Sequence, residues 1–268
     1  MSRKPLKFYD STYSNINEKI LQEVRDETYG VDLGQSGWLT SDEHLNFISQ
    51  IKADSHSRIL EVACGSGRPA MRIAEATGAR VTGIDINEKG IASAIETSRN
   101  LKLDSLVDFQ LADGAKRLPF EDGVFDSLIC IDAINHLPDR ANTLSEWRRV
   151  LKPEGLLLFT DPTTITGYLT DQEIAIRSSI GFFIFVPPGE DERFLRESGY
   201  EVIQKADVTS NMENVAKRWH DARAKLTDSL RKLEGESTFD GTQKFLEVTY
   251  TIAHERRLSR FSYLAKRS

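Results

Sequence analysis

From Arg58 onward the chain alternates short apolar runs with amphipathic stretches. RILEVAC opens the series, and ARVTGIDI, VDFQLAD, DSLICIDAIN and LLLFTDP continue it. Between them lie a helical stretch reaching about Ala76, then NEKGIASAIETSRNL, then LSEWRRVLKPEG, which Pro-Glu-Gly ends. Strands alternating with helices of about ten to fifteen residues predict βαβ units and a parallel sheet. Runs such as LLLF and SLICI fit strands buried on both faces. Upstream, Ile16, Ile20, Leu21 and Val24 fall on one apolar stripe of a helix. A loop, GVDLGQSGWLT, follows, and Thr40 or Ser41 can cap a second helix through DEHLNFISQI. After Asp161 the alternation breaks. SSIGFFIFVPPGE, within 163–190, fits neither a regular strand nor a long helix, and DERFLRESGYEVIQKADV reads as helix, glycine turn, strand. A long amphipathic helix from about Asn211 to Leu233, a second near Gly241 to Glu255 and a closing strand RFSYLAK complete the chain. There is no internal repeat or low-complexity tract.

At 268 residues the chain is long for one domain, so one main domain with an elaborated edge is expected. Hydrophobic content of 39% and charged content of 28% allow a sizeable core without disulfides or metal staples. The net charge of -6 argues against a nucleic-acid partner, which needs basic surface; KRWHDARAK and HERRLSR leave room only for a local basic patch. Cys64 and Cys130 sit in apolar strand contexts and read as small buried hydrophobes. Zinc-like Cys and His spacing is absent, so no metal is expected. No apolar signal core opens the chain, and no segment approaches the ~18–20 apolar residues of a membrane span. A cytoplasmic protein is expected, and the sequence leaves both monomer and homodimer open.

The chemistry concentrates in Glu61-Val62-Ala63-Cys64-Gly65-Ser66-Gly67, small residues between a buried strand and a helix start. Glycines there let the backbone approach a ligand closely, and the helix N-terminus favours a carboxylate or phosphate. Gly65-Ser66-Gly67-Arg68-Pro69-Ala70 also matches G-x-G-x-x-A, a nicotinamide or flavin fingerprint. Against that reading, the Glu61 carboxylate would oppose a pyrophosphate but suit a cationic amino-acid ligand. Nearly sixty residues also precede the loop, whereas the dinucleotide motif often opens its domain.

The run ILEVACGSGRPAMRIAEATGARVTGIDIN resembles the first two motifs of class I S-adenosylmethionine-dependent methyltransferases of small-molecule and natural-product type. Glu61, Ala63, Gly65 and Gly67 occupy the positions of the family's acidic residue and G-x-G-x-G, with Ala63 in place of the first glycine. Asp85 matches the acidic residue that accepts both ribose hydroxyls, with Ile86 beside it. Asp113, followed by Gly114, matches the one that meets the adenine amino group. LPFEDGVFDSLICIDAINHLPD and RRVLKPEGLLLFTDP resemble the family's fourth-strand segment and its turn into the fifth strand, with Glu154 replacing a usual glycine. The resemblance implies an α/β fold: a Rossmann-like three-layer sandwich around a seven-stranded, mostly parallel sheet of order 3-2-1-4-5-7-6. It implies a helical N-terminal lid over 1–56, a core over 57–268 and acceptor-pocket elements in about 163–255, inserted after the fifth strand. EVIQKADV and RFSYLAK are the expected sixth and seventh strands, an antiparallel hairpin that a nicotinamide Rossmann domain lacks.

The implied cofactor is S-adenosyl-L-methionine, leaving S-adenosyl-L-homocysteine, and the implied partner is a small-molecule acceptor attacked at nitrogen, oxygen or carbon. The alternatives are a non-catalytic cofactor-binding protein of the same fold and an NAD(P)-dependent oxidoreductase. Ile131 or Asp132 is expected to line the cofactor side. His136 is the candidate general base, with a structural hydrogen bond as the other reading, and Asn135 can orient substrate. Tyr9, Tyr13 and Trp38 are aromatic candidates for closing over the sulfonium, and Gln35 and Ser36 for reaching its methionine part. Asn211, Trp219 and His220 are candidate pocket residues, by resemblance to a segment that borders the acceptor in amine and natural-product methyltransferases. A sequence without a convincing base leaves a nitrogen acceptor open, because a neutral amine can attack unaided.

Overall fold

The computed structural model describes residues 7–268, with only the backbone described at Lys7 and Phe8. Residues 1–6 of the expected lid therefore lie outside the described residues. Seven strands form one sheet: β1 (Arg58–Val62), β2 (Arg80–Asp85), β3 (Val107–Leu111), β4 (Phe125–Cys130), β5 (Leu151–Ile165), β6 (Tyr200–Asp207) and β7 (Leu258–Arg267). Their order is β3-β2-β1-β4-β5-β7-β6. β1 to β5 are parallel, and β7 runs antiparallel between β5 and β6. Both the order and the terminal hairpin match the sequence expectation.

The strands alternate their side chains between two cores, as a period of two requires. Ile59 and Ile129 join one core with Phe47, Met71 and Ile91, which come from α3 (Ser41–Gln50), α4 (Arg68–Thr77) and α5 (Glu88–Asn100). Leu60 and Leu128 join the other with Leu144, Trp147 and Leu195, from α6 (Arg140–Val150) and α8 (Glu190–Glu197). Helices on both faces of a mostly parallel sheet make three layers. Thr40, the candidate cap, accepts a hydrogen bond from Glu43 N at 3.3 Å and so starts α3.

A helical cap lies beyond the sheet. It comprises α1 (Lys7–Ser14), α2 (Lys19–Tyr29), α7 (Asp171–Arg177), α9 (Thr209–Lys225), α10 (Thr227–Glu234) and α11 (Glu236–His254). Val24 of α2 meets Ala222, Leu230 and Phe239, and Trp38 meets Met212, Val215 and Phe245. The helix expected as continuous from Asn211 to Leu233 breaks at Leu226, whose φ of -113° and ψ of 24° leave the α region. α7 ends just before the irregular apolar stretch, within which Val186 bridges to Thr164 of β5. Glu154, standing where the resembling sequences have glycine, keeps the left-handed backbone at φ 65°.

Candidate active site

The strand order reverses between β1 and β4, and an open α/β sheet has its crevice outside the strand C-termini at such a point. β1 ends at Val62, and the chain then turns through Ala63 at φ 60°, Gly65 at φ 55° and Gly67 at φ 74°. Gly65 is constrained twice: its φ is left-handed, and a Cβ there would lie 2.3 Å from the Tyr13 hydroxyl. A Cβ on Gly67 would sit 2.5 Å from the Phe109 ring and 2.7 Å from Ala94. That close approach lets α4 start directly above the sheet.

The turn floors a chamber of about 1130 Å³, counting its open mouth. Tyr13, Ser36, Glu61, Ala63, Gly65, Asp85, Ile86, Asp113, Gly114 and Ile131 all line it, as do Tyr9, Gln35, Asp132 and His136. Gly67 lies beneath the chamber rather than on its wall. Trp38 is also absent from that wall: its ring stacks on Phe245 at 6.2 Å and meets Trp219 edge-on at 6.4 Å. It anchors the loop to the cap. A second, much tighter cavity, of about 390 Å³ counting its opening to solvent, lies next to the first and shares Tyr9, Ser36, Gly37, Asp132 and His136 with it. Asn135, Trp38 and Trp219 line this inner chamber, together with Arg177.

Asn211 and His220 line neither. His220 Nδ1 lies 3.2 Å from Asp221 Oδ1 on a half-exposed face. Each helical residue advances about 100°, so the turn that points Trp219 inward carries His220 away. Of the three residues the segment resemblance suggested, only Trp219 lines a chamber.

Three carboxylates give the first chamber its character. Glu61 is 4% exposed and its Oε2 has no hydrogen-bond partner. Burial first, and the neighbouring Asp85 charge second, push its carboxyl up to about 8. Asp85 accepts from Gly65 N at 2.9 Å and from Asn87 N at 2.8 Å; burial raises it despite these bonds. Asp113 accepts from Ala115 N at 3.1 Å through Oδ1. Its Oδ2 lies 3.2 Å from Lys116 Nζ, outside hydrogen-bonding geometry, and has no hydrogen bond. A buried carboxylate lacking a donor is costly, so these oxygens suit a ligand bringing N–H and O–H donors and positive charge.

The 30s loop is tied down firmly. Gln35 Oε1 accepts from Leu33 N at 2.6 Å, and Gly34 N donates to Asp32 at 2.7 Å. Trp38 N donates to Asp132 Oδ2 at 2.9 Å. Asp132 also receives Thr160 Oγ1 at 2.8 Å and Arg260 Nε at 2.6 Å, while Arg260 Nη1 reaches Glu43 at 2.6 Å. This buried triad joins β4, β7, α3 and the loop, although nothing in the sequence pairs Asp132 with residues 43 and 260.

His136 stands at the seam between the chambers. Its Nδ1 lies 2.8 Å from the Phe182 carbonyl oxygen, which can only accept. Nδ1 therefore carries the proton, and Nε2, 3.2 Å from the Tyr9 hydroxyl, presents its lone pair. Tyr9, a candidate for closing over the sulfonium, lines the first chamber, and its hydroxyl reaches the histidine. Burial raises the Tyr9 phenol well above its ordinary range, so it stays protonated and donates.

Among known proteins, a family model described as a methyltransferase domain matches residues 53–248. The chain is 30% identical to the 27-O-demethylrifamycin SV methyltransferase of Amycolatopsis mediterranei (strain S699), over 71% of this chain and 72% of that protein. Among solved structures it resembles phosphoethanolamine N-methyltransferase 2 of Haemonchus contortus, at a TM-score of 0.80 and 18% identity, over 95% of this chain and 59% of the other. It equally resembles the [4+2]-cyclase SpnF, at a TM-score of 0.78 and 21% identity, over 98% of this chain and 94% of the other. These two structural likenesses carry the fold alone, so the chemistry rests on the site.

Proposed function

The chain belongs to the methyltransferase-domain family and is an S-adenosylmethionine-dependent methyltransferase; on that premise we propose that it methylates a hydroxyl of a small molecule, with His136 as general base. The observation that carries this reading is the fixed His136 tautomer, whose Nε2 lone pair faces the seam between the two chambers. A hydroxyl, unlike an amine, benefits from a base that takes its proton as it attacks. The rifamycin relative, named for methylating an oxygen, supports the same choice.

The residues fit the cofactor. Glu61 Oε2 would receive the α-ammonium, Asp85 the ribose hydroxyls and Asp113 Oδ2 the adenine amino group. Bound there, the cofactor supplies an electrophilic methyl on a sulfonium with a good leaving group already in place. The protein's own task is alignment, which can account for several kcal/mol of such a barrier. Tyr13 lies over Gly65 and Tyr9 over the seam, and the aromatic inner chamber keeps water from the reacting atoms. As acceptor, the hydroxyl displaces Tyr9 from Nε2 or reaches it through the Tyr9 oxygen.

The described part of the N-terminal segment, 7–56, serves as a lid. Asp10 accepts from Asn87 Nδ2 at 2.8 Å and Lys89 Nζ donates to Ser14 at 2.6 Å, holding α1 onto α5. No helix among the described residues is long and apolar enough to cross a membrane, and both cysteines are buried and free. A reducing, cytoplasmic setting accords with this.

Formation of S-adenosylhomocysteine, measured with and without a panel of small hydroxyl, amine and carbon-acid acceptors, tests the reading. Hydroxyl-dependent turnover that falls sharply in His136→Ala supports it. Cofactor binding with no turnover on any class favours the non-catalytic alternative, and turnover on amines that survives His136→Ala removes the base.

A further inference from the structure

The inner chamber contains a cation that the mechanism above does not use. Arg177, the last residue of α7, is 1% exposed, and its Nε, Nη1 and Nη2 have no hydrogen-bond partner. Its guanidinium carbon lies 4.7 Å from the centroid of Phe183, 4.9 Å from Phe245 and 5.6 Å from Trp38. Aromatic faces attract the charge but offer no lone pair to its five N–H donors. The nearby carboxylates are already committed: Asp132 to Arg260, and Asp161 to Arg140 at 2.6 Å. Burial consequently lowers the Arg177 guanidinium from its ordinary value to about 10. Asn135 lines the same chamber, is fully buried, and has neither its side-chain oxygen nor its nitrogen hydrogen-bonded.

Two wholly buried polar side chains without partners, facing one cavity, are the signature of a missing ligand group rather than of a finished core. We propose that Arg177 and Asn135 form an anion subsite that receives a carboxylate of the methyl acceptor. The proposal rests on the methyl-transfer reading of the adjacent chamber. A carboxylate matches the planar guanidinium fork with two parallel acceptors. The Asn135 amide can donate to the same group. His136 and Asn135, adjacent in the short 3-10 turn Ile134–His136 that follows β4, then couple recognition to proton removal. The acceptor is thus held at its anionic end by the inner chamber and presents its hydroxyl at the seam. It enters through an open vestibule, about 1490 Å³ counting its mouth, which shares Ser36, Ile180, Trp219 and Thr242 with the inner chamber.

The test is calorimetric titration of S-adenosylhomocysteine-loaded protein with benzoate, with its neutral isostere benzamide, and with inorganic phosphate. Benzoate is expected to bind at least about tenfold more tightly than benzamide, as a charge-assisted pair requires. That preference should vanish in Arg177→Met and persist in part in Arg177→Lys. S-adenosylhomocysteine affinity, measured first on every variant, should match the wild type and so certifies that the first chamber is folded. Equal binding of benzoate and benzamide to loaded wild-type protein, or a benzoate preference that survives Arg177→Met, overturns the subsite. Tighter binding of phosphate than benzoate overturns the carboxylate assignment. Failure of S-adenosylhomocysteine itself to bind would instead strike the methyl-transfer reading.

Discussion

Replacing Glu61 by glutamine should make the ligand-free protein more stable while weakening its hold on the cofactor. The Glu61 carboxyl titrates near 4.5 in an unfolded chain and near 8 in the fold, chiefly because burial disfavours its charge and secondly because Asp85 repels it. Between those values the folded protein holds a proton that the unfolded chain has released. Stability is therefore lost as pH rises from about 4.5 to about 8, and levels off above. The full displacement corresponds to roughly 5 kcal/mol at 1.36 kcal/mol per pKa unit. Relaxation of the surrounding polar groups lowers the effective cost well below that figure, so a difference of about 2–3 kcal/mol at pH 8.5 is expected. Glutamine retains the shape without the charge. Urea unfolding of ligand-free wild type and Glu61→Gln at pH 5.5, 7 and 8.5 should give curves that diverge with pH, the variant being the more stable. Its S-adenosylhomocysteine affinity should fall about tenfold to a hundredfold, the cost of a lost charged hydrogen bond. Parallel stability curves, or a variant that loses stability with pH as steeply as wild type, would refute this account of Glu61.

Asp85→Asn keeps one carbonyl acceptor and loses the charge; S-adenosylhomocysteine affinity by calorimetry should drop at least about tenfold. Ala63→Gly relieves a left-handed residue at φ 60° and should raise stability by about 0.5–1 kcal/mol, the greater flexibility of the unfolded glycine chain partly offsetting the relief; urea midpoints at unchanged slope check this. Asp132→Ala leaves the buried Arg260 with Glu43 alone and frees the Trp38 amide, so a loss of about 3–5 kcal/mol is expected in the same assay.

The sheet was legible because each strand is a short apolar run bounded by small or polar residues, and because Gly65 and Gly67 stand between such a run and a helix start. Glu61, Asp85 and Asp113 were legible for the same reason: each stands within two residues of a strand end, where α/β crevices form. The helical cap was harder to read. The break at Leu226 is marked locally only by Thr227-Asp228-Ser229, residue types that favour helix starts over interiors, and the amphipathic period running on through them hides it. Arg177 was missed entirely, because an arginine closing a polar helix reads as a surface residue until Phe183, Phe245 and Trp38 are brought around it. Those rings come from three separate stretches of chain. The tautomer of His136 was similarly beyond reach, depending on a carbonyl 46 positions away.

The central claim is most directly tested by titrating the wild-type protein with S-adenosylhomocysteine and, separately, with NADPH. The account predicts saturable one-to-one binding of S-adenosylhomocysteine, weakened by Glu61→Gln and by Asp85→Asn, and no binding of NADPH. Binding of NADPH with none of S-adenosylhomocysteine would contradict it and return the G-x-G-x-x-A run to its dinucleotide meaning.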